Sequence, residues 1–226
     1  MYNKDMKAKI SEIFKSIQGE GLYLGLNQIF VRFFGCNLRC SYCDTDLHSF
    51  NEMDVGEVLS AVLSHGFCHS ISLTGGEPLL HVDFLKQLLP LFKSRYKTIY
   101  LETNGIFYDN FKEIKDYVDI VAMDFKLPSS CGCRDYFIEH ERFLSLTLGK
   151  KVFVKAVVTE HTDIKDLAKL LYVMRNVSRD VPLILQPESP HEDNLRAKMD
   201  DYHKTALAYL PNVTVIPQIH KLMGVK

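Results

Sequence analysis

Short apolar runs alternate with longer amphipathic stretches along most of the chain, the pattern of repeated β/α units around a parallel sheet. Strand-like runs fall at 28–34, 69–74, 98–102, 118–123, 151–158 and 182–186, with a further one at 213–216. Helical periodicity occupies 54–65, 81–94, 109–116, 135–147, 162–178 and 192–209. The first helix is clearly punctuated. Asp54 is placed to cap it, Glu57 completes a capping box, and Gly66 stops it. Leu59, Val62 and Leu63 form its expected apolar stripe. The segment 127–140 shows no clear helix boundary. No Gly-x-Gly-x-x-Gly follows the first strand, so the α/β pattern fits an incomplete TIM-like (β/α)6 barrel better than a doubly wound dinucleotide fold.

Composition narrows the setting. The chain has 226 residues, 46% hydrophobic and 24% charged, enough for one substantial core. No linker-like stretch divides it, so a single domain over 1–226 is expected. A net charge of −1 and the absence of a Lys/Arg run argue against a nucleic-acid surface. No apolar run approaches a membrane span and the N-terminus lacks a signal-peptide core, so a cytoplasmic protein with reduced thiols is expected.

In barrels of this kind the chemistry sits on loops leaving the C-terminal ends of the strands. The informative residues cluster there. After the first strand comes Gly35-Cys36-Asn37-Leu38-Arg39-Cys40-Ser41-Tyr42-Cys43-Asp44-Thr45, holding three of six cysteines as Cys-x3-Cys-x2-Cys. Thr74-Gly75-Gly76-Glu77-Pro78 follows the second strand and Glu102-Thr103-Asn104-Gly105 the third. Asp124-Phe125-Lys126 and Gln186-Pro187-Glu188 follow later ones. Each iron of a [4Fe-4S] cluster normally takes one thiolate, so Cys36, Cys40 and Cys43 can hold three irons and leave one open. An open position marks a catalytic centre. A zinc site is the alternative, but it wants a fourth ligand, and His48 has no paired His. Disulfides are not expected. Cys131 and Cys133 read as incidental loop thiols and Cys68 as buried packing.

The Cys-x3-Cys-x2-Cys loop and the Gly-Gly-Glu-Pro loop resemble those of radical S-adenosylmethionine (SAM) enzymes, whose fourth iron is chelated by SAM. Two glycines there let the backbone approach a ligand closely. Gln18-Gly19-Glu20-Gly21, Arg32, Cys43-Asp44-Thr45 and the closing Pro217-Gln218-Ile219-His220-Lys221-Leu222-Met223-Gly224 resemble the 7-carboxy-7-deazaguanine synthase family of 7-deazapurine (queuosine) biosynthesis. The resemblance runs from Gln18 to Gly224.

That resemblance implies a lyase acting on 6-carboxy-5,6,7,8-tetrahydropterin. A 5′-deoxyadenosyl radical takes a hydrogen from the pterin, the ring contracts, and ammonia leaves to give 7-carboxy-7-deazaguanine. It implies SAM contacts at Tyr42, Cys43, Asp44, Gly76, Glu77, Thr103, Lys126 and Gln186. Substrate contacts are implied at Gln18, Gly19, Glu20, Arg32, Thr74, Asn104 and His220, the last from the segment 217–226. Glu20 can accept N–H groups of the aminopyrimidinone edge, and Gln18 both accepts and donates. Arg32 shares a strand face with Phe30 and Phe34, opposite Ile29, Val31 and Phe33. It either grips the substrate carboxylate or makes a structural salt bridge. Thr45 is implied as a Mg²⁺ ligand. One hydroxyl holds a hard cation poorly, so most ligands would be substrate oxygens and waters; Thr45 would equally suit a turn cap. A flavodoxin- or ferredoxin-type reductant and a homodimer complete the expectation. A glycyl-radical-enzyme activase and a non-enzymatic zinc module are the competing readings.

Overall fold

A computed structural model describes residues 5–45, 48–95, 97–189 and 192–219. His220 and the segment beyond it lie outside them. Among the described residues nine strands form one sheet: β1 (Lys7–Ile17), β2 (Asn27–Phe33), β3 (Asn51–Asp54), β4 (Ser70–Gly75), β5 (Ile99–Thr103), β6 (Ile120–Asp124), β7 (Lys151–Val158), β8 (Leu183–Pro187) and β9 (Val213–Val215). Their order is β3-β1-β2-β4-β5-β6-β7-β8-β9. From β2 to β9 every neighbouring pair is parallel, whereas β1 runs antiparallel to both β2 and β3.

Helices α1 (Val55–Ser64), α2 (Val82–Lys93), α3 (Tyr108–Ile114), α5 (Phe137–Leu146), α6 (Ile164–Val177) and α7 (Glu192–Leu207) each join two parallel strands, and α4 (Pro128–Cys131) is a single turn. Six crossovers with an unclosed strand order make the incomplete (β/α)6 barrel that the alternation predicts. The expected strands and helices recur within a few residues.

The antiparallel pair β1 and β3 was not legible. Along β1, Ala8 and Ile10 alternate inward, but the register shifts between Ile10 and Glu12. A bulge of this kind reverses the parity of the side chains and hides the period of two. In α1 the capping box forms as predicted, with Glu57 N–H donating to Asp54 Oδ1 at 2.9 Å and Asp54 N–H to Glu57 Oε2 at 2.7 Å. Its buried stripe is Val55, Val58 and Val62; Leu63 lies 38% exposed, a correction to the expected stripe.

Alternation in the strands separates two faces. Ile29, Val31, Phe33, Ile71, Leu73, Leu101, Val121, Val154 and Leu185 point outward into the main core against the helices. Inside the cup, Tyr100, Ile120, Phe153 and Ile184 close the floor. Gly21 seats the Gln18–Gly21 turn on that floor. Its φ is +69°, and a Cβ there would lie 2.5 Å from the Phe153 ring.

Cys131 and Cys133 are joined as a disulfide, which corrects the expectation of free loop thiols. Residues two apart on the tight turn that ends α4 at Gly132 bring their side chains together without further help from the fold. Cys68 is buried as expected.

Candidate active site

A cavity of about 700 Å³ opens above the floor at the C-terminal ends of the parallel strands. Cys36, Cys40, Tyr42, Cys43, Asp44 and Thr45 line one wall. Gln18, Gly19, Glu20, Arg32, Thr74, Gly76, Thr103, Asn104, Lys126 and Gln186 line it too. Of the site residues expected from sequence, Glu77 alone among those described does not reach it. His220 lies outside the described residues.

The glycines explain how the loops meet. A Cβ on Gly76 would sit 1.9 Å from the Gly35 carbonyl oxygen. Gly76 N–H donates to Phe33 O at 3.0 Å and Glu77 N–H to Gly35 O at 2.9 Å. The close approach that the sequence suggested for a ligand is therefore made first by the chain itself, zipping the Gly-Gly-Glu-Pro loop to the cysteine loop. Glu77 is fully buried and accepts from Leu79 N–H (3.0 Å), Thr103 Oγ1–H (2.8 Å) and Asn104 N–H (2.8 Å). Burial nonetheless pushes its carboxyl up to about 7 against those donors. Asn104 Nδ2 then donates to Asn37 Oδ1 at 2.7 Å, inside the cysteine loop.

Cys36, Cys40 and Cys43 are free thiols. Burial raises the first two above the usual thiol range, and the neighbouring Cys43 sulfur works in the same direction on both. Among the described residues no three His, Cys, Asp or Glu side chains are set to grip a single ion. A cluster that gives each thiolate its own iron does not need the three thiols to close on one ion, and all three line the cavity. The opposite side has acceptors to spare. Asp124 Oδ1 and Gln186 Oε1 are buried with no hydrogen-bond donor among the described residues, and both residues line the cavity. A ligand bearing amino and hydroxyl groups fits that pattern.

Several of the charged groups are paired. Arg32 donates through Nε to Glu12 Oε1 at 2.9 Å, the salt bridge that sequence had left as an alternative. Lys126 contacts Asp124 Oδ2 at 3.0 Å and reaches Tyr42 OH at 3.4 Å. Lys155 pairs with Glu20 and, at 3.4 Å, with Asp124 Oδ2. Burial works to raise the carboxyls of Glu20 and Asp124, but the adjacent ammonium groups win and hold both below the usual range.

Gln18 is less available than its motif suggested. Its Nε2 donates to Gln28 Oε1 (3.1 Å) and Glu102 Oε1 (2.8 Å), while its Oε1 accepts Glu20 N–H (3.1 Å). Thr74 Oγ1–H donates to Glu102 Oε2 at 2.6 Å. Glu102, Lys155 and Gln218 line the cavity and were not singled out as site residues. The signal for two of them was present: a charge at an inward position of an otherwise apolar strand needs a partner.

The radical SAM superfamily model matches residues 30–130. The chain is 37% identical to 7-carboxy-7-deazaguanine synthase of Geobacter sulfurreducens, covering 96% of this chain and 97% of that one. It is 35% identical to the enzyme of that name from Methanothermobacter thermautotrophicus, over 98% and 99% respectively. The crystal structure of QueE from Escherichia coli superposes with a TM-score of 0.64 at 21% identity, covering 92% of this chain and 93% of that one.

Proposed function

The chain belongs to the 7-carboxy-7-deazaguanine synthase family of radical SAM enzymes, and on that premise we propose how its cavity serves the ring contraction. The substrate is 6-carboxy-5,6,7,8-tetrahydropterin and the product 7-carboxy-7-deazaguanine, with ammonia released. The observation that carries the reading is one cavity with three free thiols on one wall and paired carboxylates, amides and an arginine on the other.

Cys36, Cys40 and Cys43 would hold the [4Fe-4S] cluster. Tyr42, Asp44, Gly76, Thr103, Lys126 and Gln186 would surround SAM, with Glu77 acting from behind by fixing Thr103 and Asn104. Together the two groups supply one-electron hydrogen abstraction when bound. The protein's own part is orientation and exclusion of water. Glu12 holds Arg32 by Nε, which leaves the terminal nitrogens of the guanidinium for the substrate carboxylate. Glu20 accepts N–H groups of the pterin edge. Thr45 would help to hold Mg²⁺, with substrate oxygens and waters supplying the remaining ligands, so metal and substrate would bind together. A flavodoxin- or ferredoxin-type protein supplies the electron, and the enzyme works as a cytoplasmic homodimer. Among the described residues, no helix is long and apolar enough to cross a membrane.

The test is anaerobic reconstitution with iron and sulfide, followed by incubation with SAM, Mg²⁺, reductant and 6-carboxytetrahydropterin. Ammonia and a deazapurine chromophore are expected in equal amounts. Their absence from a protein that has taken up iron would remove the reading.

A further inference from the structure

Ser11 is the extra residue of the β1 bulge. Ile10 pairs with Phe33 and Glu12 with the adjacent residue of β2, Arg32, so Ser11 has no opposite number of its own in the register. In a regular strand, successive side chains leave opposite faces of the sheet. Ser11 and Glu12 are consecutive, yet both line the cavity. The bulge accounts for this, because an inserted residue bends the strand and re-aims the side chains beside it. Glu12 thereby comes to hold Arg32 through Nε at 2.9 Å. Ser11 stands next to that pair. The residue is half-buried, and its Oγ is sealed in the wall with no hydrogen-bond partner among the described residues. Native interiors rarely keep a hydroxyl in that state, since it has given up water and gained nothing.

We propose that Ser11 is a substrate-binding residue for the acidic arm of the pterin: its hydroxyl turns into the cavity and donates to the carboxylate that Arg32 grips. This rests on the reading of Arg32 as the carboxylate clamp. Rotation about χ1 moves one light atom between staggered wells. No internal hydrogen bond of Ser11 Oγ has to break for that turn. A guanidinium fork meets a carboxylate in one plane and leaves further lone pairs on its oxygens. A neutral donor one strand over can take one of those, and O–H to carboxylate bonds are of the stronger, charge-assisted kind. Because the free protein makes no bond with this hydroxyl, the bond to the ligand is a gain that appears only on binding.

The experiment compares wild-type, Ser11→Ala, Ser11→Thr and Ser11→Val holoenzymes, each reconstituted anaerobically and matched for iron content. The readouts are KM and kcat for 6-carboxytetrahydropterin and the melting temperature of the substrate-free holoenzyme. Ser11→Ala is expected to raise KM about tenfold or more, with a smaller effect on kcat. Its melting temperature should equal or exceed that of wild type, because the variant loses only an unpartnered hydroxyl. Thr and Val have similar bulk and differ in the hydroxyl, so Ser11→Val should show a KM about tenfold above that of Ser11→Thr. If Ser11→Ala does not load iron, the Thr and Val pair carries the comparison. A Ser11→Ala KM within about twofold of wild type overturns the proposal. So do equal KM values in the Thr and Val variants, or a KM rise in Ser11→Ala that follows a fall in melting temperature, since that marks a structural hydroxyl. A wild-type enzyme without pterin turnover sinks the functional reading itself, and an Arg32→Ala enzyme with unchanged KM sinks the clamp; both results are distinct from a Ser11 variant that handles pterin as wild type does.

Discussion

The carboxylate of Glu77 accepts the backbone N–H of Asn104 at 2.8 Å, tying the loop after β4 to the turn after β5. The same carboxylate takes the Thr103 hydroxyl, and Asn104 reaches on to Asn37 among the cysteines. A residue with no surface in the cavity thus sets the shape of its wall. Glu77→Ala would leave two buried N–H groups and a hydroxyl without their acceptor. A loss of about 3 kcal/mol in denaturant unfolding is expected, with Glu77→Gln costing about 1 kcal/mol. SAM affinity should fall in parallel; an alanine variant as stable as wild type would show that the latch carries no load.

Gly76 is expected to tolerate no side chain. A Cβ 1.9 Å from the Gly35 carbonyl cannot be absorbed by rotating a flexible group, because the obstacle is backbone. Gly76→Ala should part the two loops and lower iron loading on reconstitution, with a stability loss of about 2 kcal/mol or more. Iron content per chain and melting temperature are the measurements. Gly25 has open space around the same built position and serves as the control, apart from the strain of its positive φ.

His140 offers a pH test. It is fully buried, its Nε2 lies 3.0 Å from Asn104 O, and its Nδ1 has no partner among the described residues. A carbonyl can only accept, so Nε2 carries the proton and Nδ1 is bare. Burial drives the imidazole down to about 4, from an ordinary value of 6.5. The folded state therefore resists a proton that the unfolded chain takes up below pH 6.5. The His140 contribution to stability is intact above that pH and is lost progressively as pH falls from 6.5 to about 4, by about 3 kcal/mol in all. Glu77, raised by burial, shifts stability the opposite way over much of the same range, so the comparison must be between variants. The stability of wild type relative to His140→Gln should shrink as pH is lowered from 7 to 5; a constant difference would refute the assignment.

Arg32 is expected to act as a fork held from behind. Arg32→Ala should raise the pterin KM by about 30-fold or more, equivalent to about 2 kcal/mol, while SAM cleavage remains possible. Arg32→Lys should recover little of this, because an ammonium cannot serve Glu12 and a carboxylate in the same plane. Glu12→Gln keeps an acceptor for Nε and should cost less than either. Steady-state kinetics decide it, and an Arg32→Ala enzyme with unchanged KM would leave the pair with Glu12 as the whole role of this residue.

Short-range signals on the chain determined a good deal by themselves. The period-two and period-3.6 patterns set the six βα units, because burying one face of each element is a local demand on residue type. The cysteine spacing and the Gly-Gly-Glu-Pro and Gln-Gly-Glu-Gly runs marked the loops that meet at the cavity, since each is a contiguous stretch of backbone with its own geometry. Tertiary structure decided the pairings. That Gly76 packs on Gly35, that Glu77 holds Asn104, that Lys155 bridges Glu20 and Asp124, and that β1 joins as an antiparallel edge all depend on segments tens of residues apart. Which partner a buried charge or polar group finds is a property of the closed sheet register, and no local pattern encodes it.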